Sequence, residues 1–96
     1  MAKTNKALRI EGEMTIYRAA ELKQQMEVVL GDPPRASAEI DLSGVSEIDC
    51  SGVQLLALAR RTAQAAGREL RLTNPSAPVC EVFDLLNLRP LLGVGA

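Results

Sequence analysis

An α/β layer fold is what this 96-residue sequence predicts, and three observations point to it. Short strand-like stretches recur at residues 7–10, 13–16, 39–42 and 69–72, where apolar side chains come close to alternating with polar ones. Three other segments carry apolar residues at spacings of three and four, the period of a helix with one covered face. Strands and helices also alternate along the chain, which implies a sheet with helices layered on it. Three helices cover one face more readily than two, so the expectation is a mixed sheet of four to five strands with about three helices mainly on one face. The length is that of one domain, residues 1–96.

Each element has its own signal. Residues 7–10 and 13–16 read as two short strands around Gly12, a residue suited to a tight turn. Residues 17–30 then place Ala19, Leu22, Met26, Val29 and Leu30 on one helical face, and Gly31 followed by Pro33 and Pro34 ends it. Residues 39–42 read as a strand, Ser43 and Gly44 as a turn, and Val45 and Ile48 as a second apolar point. A Leu- and Ala-rich helix follows over residues 53–66, closed by Gly67, with an apolar surface wide enough to be well buried. Residues 69–72 form another strand. Residues 74–78 turn into a third helix, where Val79, Val82, Phe83 and Leu86 stand at i, i+3, i+4 and i+7. Residues 88–96 hold at most one terminal strand.

Composition narrows the function. The formal charge of −1 gives no long-range pull toward phosphate backbones or anionic lipid. Tyr17 and Phe83 are the only aromatics, too few for a base-stacking platform, so no nucleic-acid role is expected. The first residues are polar and no apolar run is long enough to span a bilayer, which leads to the expectation of a cytoplasmic chain. Cys50 and Cys80 lack CxxC spacing and read as reduced thiols. With no histidine and two thiols a metal site is hard to build and none is expected, the Ser-His and Cys-His nucleophiles are ruled out, and no cofactor is expected. No pair among Glu11, Glu13, Asp41 and Glu47 is placed for shared acid–base work. A binding module, not an enzyme, is the expectation.

One constellation stands out: Asp49, Cys50, Ser51 and Gly52, where a strand has just ended and a helix opens. Asp and Ser at such a place commonly cap the helix by accepting from its free amides. The same place suits a phosphoryl group, because those amides and the helix dipole favour negative charge. Gly52 has no side chain to shield Ser51 from another protein's active site. Cys50, Val53 and Val45 offer small apolar surface around it, where a dianion would repel a bound partner.

These residues resemble the STAS domains typified by bacterial anti-sigma factor antagonists. The stretches IDLSGV at residues 40–45 and DCSGV at 49–53 are similar to that family's strand, Asp-Ser-Ser-Gly-Leu-like segment and helix. GEM at 12–14 with AELKQQ at 20–25 resembles its second strand and first helix. SAPV at 76–79 with VFDL at 82–85 and Leu88 resembles its third helix. The match is colinear over about residues 8–88. The resemblance implies that Ser51 is the phosphoacceptor, modified by a kinase that is also an anti-sigma factor. It makes Asp49 the acidic neighbour of Ser51 and puts Asp49, Cys50, Gly52, Val53 and Gln54 on the partner surface. Cys50 stands where the family usually has its first serine, and Met14 with Thr15 where antagonists often carry Leu-Asp. The chain also stops soon after the third helix. Two further roles fit the resemblance: a chemotaxis or two-component regulator, and a STAS subunit on the ATPase of a lipid-transport ABC complex. In the latter Ser51 is a structural contact. A monomer or weak homodimer is expected.

Overall fold

The computed structural model of the chain describes residues 6–31 and 37–92. Its elements run β1 (Lys6–Met14), a 3-10 turn (Ile16–Arg18), α1 (Ala19–Gly31), β2 (Ser37–Ile48), α2 (Cys50–Ala65), β3 (Glu69–Thr73), α3 (Ala77–Leu85) and a short α4 (Arg89–Leu92). The three strands form one sheet in the order β1-β2-β3, and both pairings are parallel. Each crossover therefore moves one strand over in the same direction. A right-handed crossover repeated that way places α1 and α2 on the same face of the sheet. Phe83 and Val79 of α3 join Leu22 of α1, Leu56 of α2 and Ile40 of β2 in a single buried cluster, so α3 packs there as well.

The α/β class and the one-sided helix layer agree with expectation, while the sheet itself differs in two ways. Among the described residues it has three strands, not four to five, and it is parallel throughout rather than mixed. Residues 7–10 and 13–16 do not make two strands about a turn. The chain runs straight through Gly12, which adopts φ +87° within β1, and residues 15 and 16 lie beyond the strand. Ser43 and Gly44 likewise do not end a strand. They sit inside a 12-residue β2 that carries two extra residues relative to β1, with the register shifting between Arg9 and Glu11 and again between Gly12 and Glu13. These bulges let inward-facing residues advance by three as well as by two, so Ala38, Ile40, Leu42, Val45 and Ile48 are all buried. Asp41 builds the first irregularity locally, its Oδ1 accepting from the Ser43 N–H at 2.9 Å. At the far end, where at most one terminal strand is expected over residues 88–96, residues 89–92 form a helical turn, and residues 93–96 lie outside the described residues.

A parallel sheet is usually covered on both faces, and here the second face carries charged side chains. Arg9, Glu11, Glu13, Glu69 and Arg71 are exposed on it, with Glu39 and Asp41 half-buried between them. Arg9 pairs in register with Asp41, and Glu39 with Arg71, so opposite charges face each other across strands. Thr73 Oγ1 donates to Glu39 Oε2 at 3.0 Å. The Ser43 amide and hydroxyl hold the Asp41 carboxyl below its ordinary value against the opposing effect of burial, helped by Asn74 and the charge of Arg9. Arg18 guards the outer edge of β1: its Nη1 donates to the carbonyls of Glu11 (2.7 Å) and Glu13 (2.8 Å), one on each side of Gly12. Its Nη2 also pairs with Glu21 at 3.2 Å.

Candidate functional site at the start of the second helix

β1 and β2 end side by side, Met14 opposite Ile48, and the chain leaves each of them into a different element. After Met14 it enters the 3-10 turn; after Ile48 it enters α2 through Asp49. The ladder continues one step further, with the Asp49 N–H donating to the Met14 carbonyl at 3.2 Å. Asp49 is the helix N-cap, in extended conformation, and its backbone carbonyl accepts the first helical bond from the Val53 N–H at 3.1 Å.

The carboxylate of Asp49 serves two elements. Oδ1 accepts from the Gly52 N–H at 3.1 Å and Oδ2 from the Ile16 N–H at 3.1 Å, joining residues 33 positions apart. Burial pushes its pKa up, but the amides of Gly52, Ile16 and Ser51 together outweigh this and hold the carboxyl below its usual range. The acid is therefore ionised at neutral pH, with the first amides of α2 turned toward it. The amides expected to be free for a phosphoryl group already have an anion.

Ser51 lies in the first turn of α2, two residues past the cap, and is half-buried; Cys50 before it and Gln54 after it are exposed. Gly52 and Val53 lie beneath this surface. Gly52 is buried, and a Cβ there would stand 2.4 Å from the Met14 carbonyl oxygen and 2.8 Å from Ile48 Cγ1. The absent side chain lets α2 start flush against the end of β1, rather than opening a path to Ser51. Val53 and Val45 are core residues, 7% and 2% exposed, so they supply no surface patch. Apolar surface at this end comes instead from the 3-10 turn, where Ile16 is 59% and Tyr17 90% exposed. From sequence alone Tyr17 admits a partner-surface reading, an amphipathic side chain at a strand–helix junction being the commoner one. Its alliance with α2 rests on the Asp49 bond, which no spacing rule reveals.

Other sequence-marked residues fall away from this end. Cys80 is half-buried, its Sγ 3.8 Å from the Pro75 carbonyl oxygen. Phe83 is wholly buried. A groove of about 300 Å³ runs between α1 and α2, floored by Met26, Leu30, Leu55, Leu58 and Ala59. Among the described residues no group of His, Cys, Asp or Glu is placed to hold a metal ion, and no helix is long and apolar enough to cross a membrane.

A sheet covered on one face, with a capped helix opening at the carboxyl ends of its strands behind an Asp-x-Ser-Gly segment, is the arrangement of a STAS domain. The family model described as "Mlab, STAS domain" matches residues 1–93, and the chain belongs to the STAS family. Solved structures show the same fold. The anti-sigma factor antagonist SpoIIAA in its unphosphorylated form is 22% identical with a TM-score of 0.74, the match covering 94% of this chain and 78% of that one. A sulfate transporter family protein from Wolinella succinogenes is 19% identical with a TM-score of 0.75, over 93% of this chain and 71% of that one. The STAS domain of a SulP transporter from Vibrio cholerae is 18% identical with a TM-score of 0.71, over 97% and 71%. At these identities the likeness concerns the fold.

Proposed function

We propose that this STAS domain is a regulatory protein-binding module of the anti-sigma factor antagonist type, switched by phosphorylation of Ser51. The observation that carries the reading is the placement of Ser51 beside exposed Cys50 and Gln54, with Asp49 already occupying the nearby amides. In the transfer, the γ-phosphoryl group of ATP bound to a kinase partner passes to Ser51 Oγ. ADP leaves, and the hydroxyl proton goes to a base of the kinase. The new dianion meets an ionised carboxylate and finds the local donors taken, so it remains at the surface. There it repels and desolvates poorly against any protein seated on Ile16, Tyr17, Cys50 and Gln54. Gly52 and Val53 support that surface from below. The unmodified form binds; the modified form releases. The likeness to SpoIIAA, whose structure is of an unphosphorylated form, supports this choice. The module needs no cofactor, works in the cytoplasm, and is a monomer or weak homodimer.

The Mlab description of the matched family favours a second reading. In it the chain is a subunit docked on the ATPase of a lipid-transport ABC complex, through the same surface, with Ser51 as a lasting contact. One experiment separates the two. Incubation with the partner ATPase and ATP is expected to add one phosphate by intact mass, lost in Ser51→Ala. An unchanged mass with an active, bound partner rejects the switch and leaves the docked subunit.

A further inference from the structure

We propose that the Asp49 carboxylate couples Ser51 to the Ile16–Arg18 turn, so that a phosphoryl group on Ser51 loosens the turn that presents Ile16 and Tyr17. This deepens the phosphoacceptor reading and rests on it. The same carboxylate holds both sides of the site, Oδ1 on the Gly52 N–H and Oδ2 on the Ile16 N–H, each at 3.1 Å. Phosphoserine at position 51 brings two negative charges and three strong acceptors into the helix turn that Asp49 caps. They repel the ionised carboxylate that holds the Gly52 and Ile16 amides.

The two grips on Asp49 are not equally strong. Gly52 is buried and fixed in α2 against Met14, with no slack in its packing. The 3-10 turn has no buried residue. Its backbone ties are the Arg18 N–H to the Thr15 carbonyl at 2.9 Å and the Ala19 N–H to the Ile16 carbonyl, neither of which engages the Ile16 N–H, and beyond it the Arg18 guanidinium is pinned to the Glu11 and Glu13 carbonyls. When the carboxylate shifts, the Ile16 bond is the one that opens, and the motion stays between Thr15 and Arg18. A phosphate would then act twice, by standing in the contact surface and by releasing the apolar part of it.

Hydrogen exchange at single amides, followed by NMR on the full chain, tests the coupling. Three forms are compared at one pH: unmodified, with phosphoserine incorporated biosynthetically at position 51, and Asp49→Asn. Asn still caps helices, but with its oxygen on the Gly52 amide its NH2 group stands where Oδ2 meets the Ile16 N–H, donor against donor. The Ile16 amide is expected to exchange about tenfold faster or more in both altered forms, with the Leu56 amide in α2 unchanged. An Ile16 amide as protected in Asp49→Asn as in the unmodified chain overturns the claim that Asp49 holds the turn. Unchanged protection with phosphoserine overturns the coupling even if Asp49→Asn opens the turn. Because the phosphate is installed without a kinase, either result stands apart from whether a kinase recognises Ser51.

Discussion

Replacing Gly52 with alanine probes how the site is built, and its outcome can be worked from distances. The added methyl would lie 2.4 Å from the Met14 carbonyl oxygen, 2.8 Å from Ile48 Cγ1 and 2.9 Å from Met14 Cβ, where ordinary contact begins at 3.4 Å. The carbonyl is the hardest neighbour to move, because it accepts the Asp49 N–H at 3.2 Å and is backbone at the end of β1. In an open helix the change would gain about 1 kcal/mol, since alanine loses less backbone entropy than glycine. Here overpacking costs about 1–3 kcal/mol, and disturbing the Met14–Asp49 bond about 1 kcal/mol more. The expected net loss is about 1–3 kcal/mol, or about 4–8 °C in melting temperature per kcal/mol for a domain of this size. Urea unfolding followed by circular dichroism measures it, with a lower midpoint and an unchanged slope. A midpoint equal to or above that of the unmodified protein would refute the close-approach argument, and with it the view that Gly52 serves packing.

Other substitutions address the rest of the account. Phe83→Ala empties the centre of the core beneath α3, where the ring is fully buried, and should cost about 3–5 kcal/mol by urea unfolding. Gly12→Ala forces a side chain to φ +87° and should lose about 1–2 kcal/mol, read by the same method. Asp49 and Asp41 both have folded pKa values below their ordinary ones, so the unfolded chain binds more protons than the folded one at acid pH. Stability should therefore hold from neutral pH down to about the ordinary carboxylate value of 3.9, then fall as pH drops through the lower folded values. Denaturation midpoints across pH would show a shallower fall in Asp49→Asn. Ser51→Asp should lower the thermal melt by no more than a few degrees, because the positive end of the helix dipole offsets the repulsion from Asp49.

The helices were readable in the sequence because their signal is local: α1, α2 and α3 follow apolar spacings of three and four, and Gly31 and Asn74–Pro75 punctuate them. The sheet was less so. Pairing direction joins residues some thirty positions apart, and nothing local distinguishes a parallel neighbour from an antiparallel one. Gly12 and Gly44 carry turn chemistry but are spent on a positive φ and on bulges inside strands, which look alike in one dimension. The three-residue steps Leu42 to Val45 and Val45 to Ile48 were the available sign that β2 continues. At the site, Asp49 and Ser51 stood out by type and position. The burial of Gly52 and Val53 is not legible in the sequence, because exposure at a helix start depends on what lies against it, here Met14. Tyr17 was visible, but its tie to α2 through Asp49 was not, since one carboxylate bridging two elements leaves no periodic trace.

The most direct measurement is the affinity of the partner ATPase for the unmodified chain and for the chain carrying phosphoserine at position 51, by titration calorimetry under identical salt. The account predicts binding of the unmodified form and at least about tenfold weaker binding, about 1.4 kcal/mol, for the phosphorylated one. Equal affinity for the two forms would contradict it.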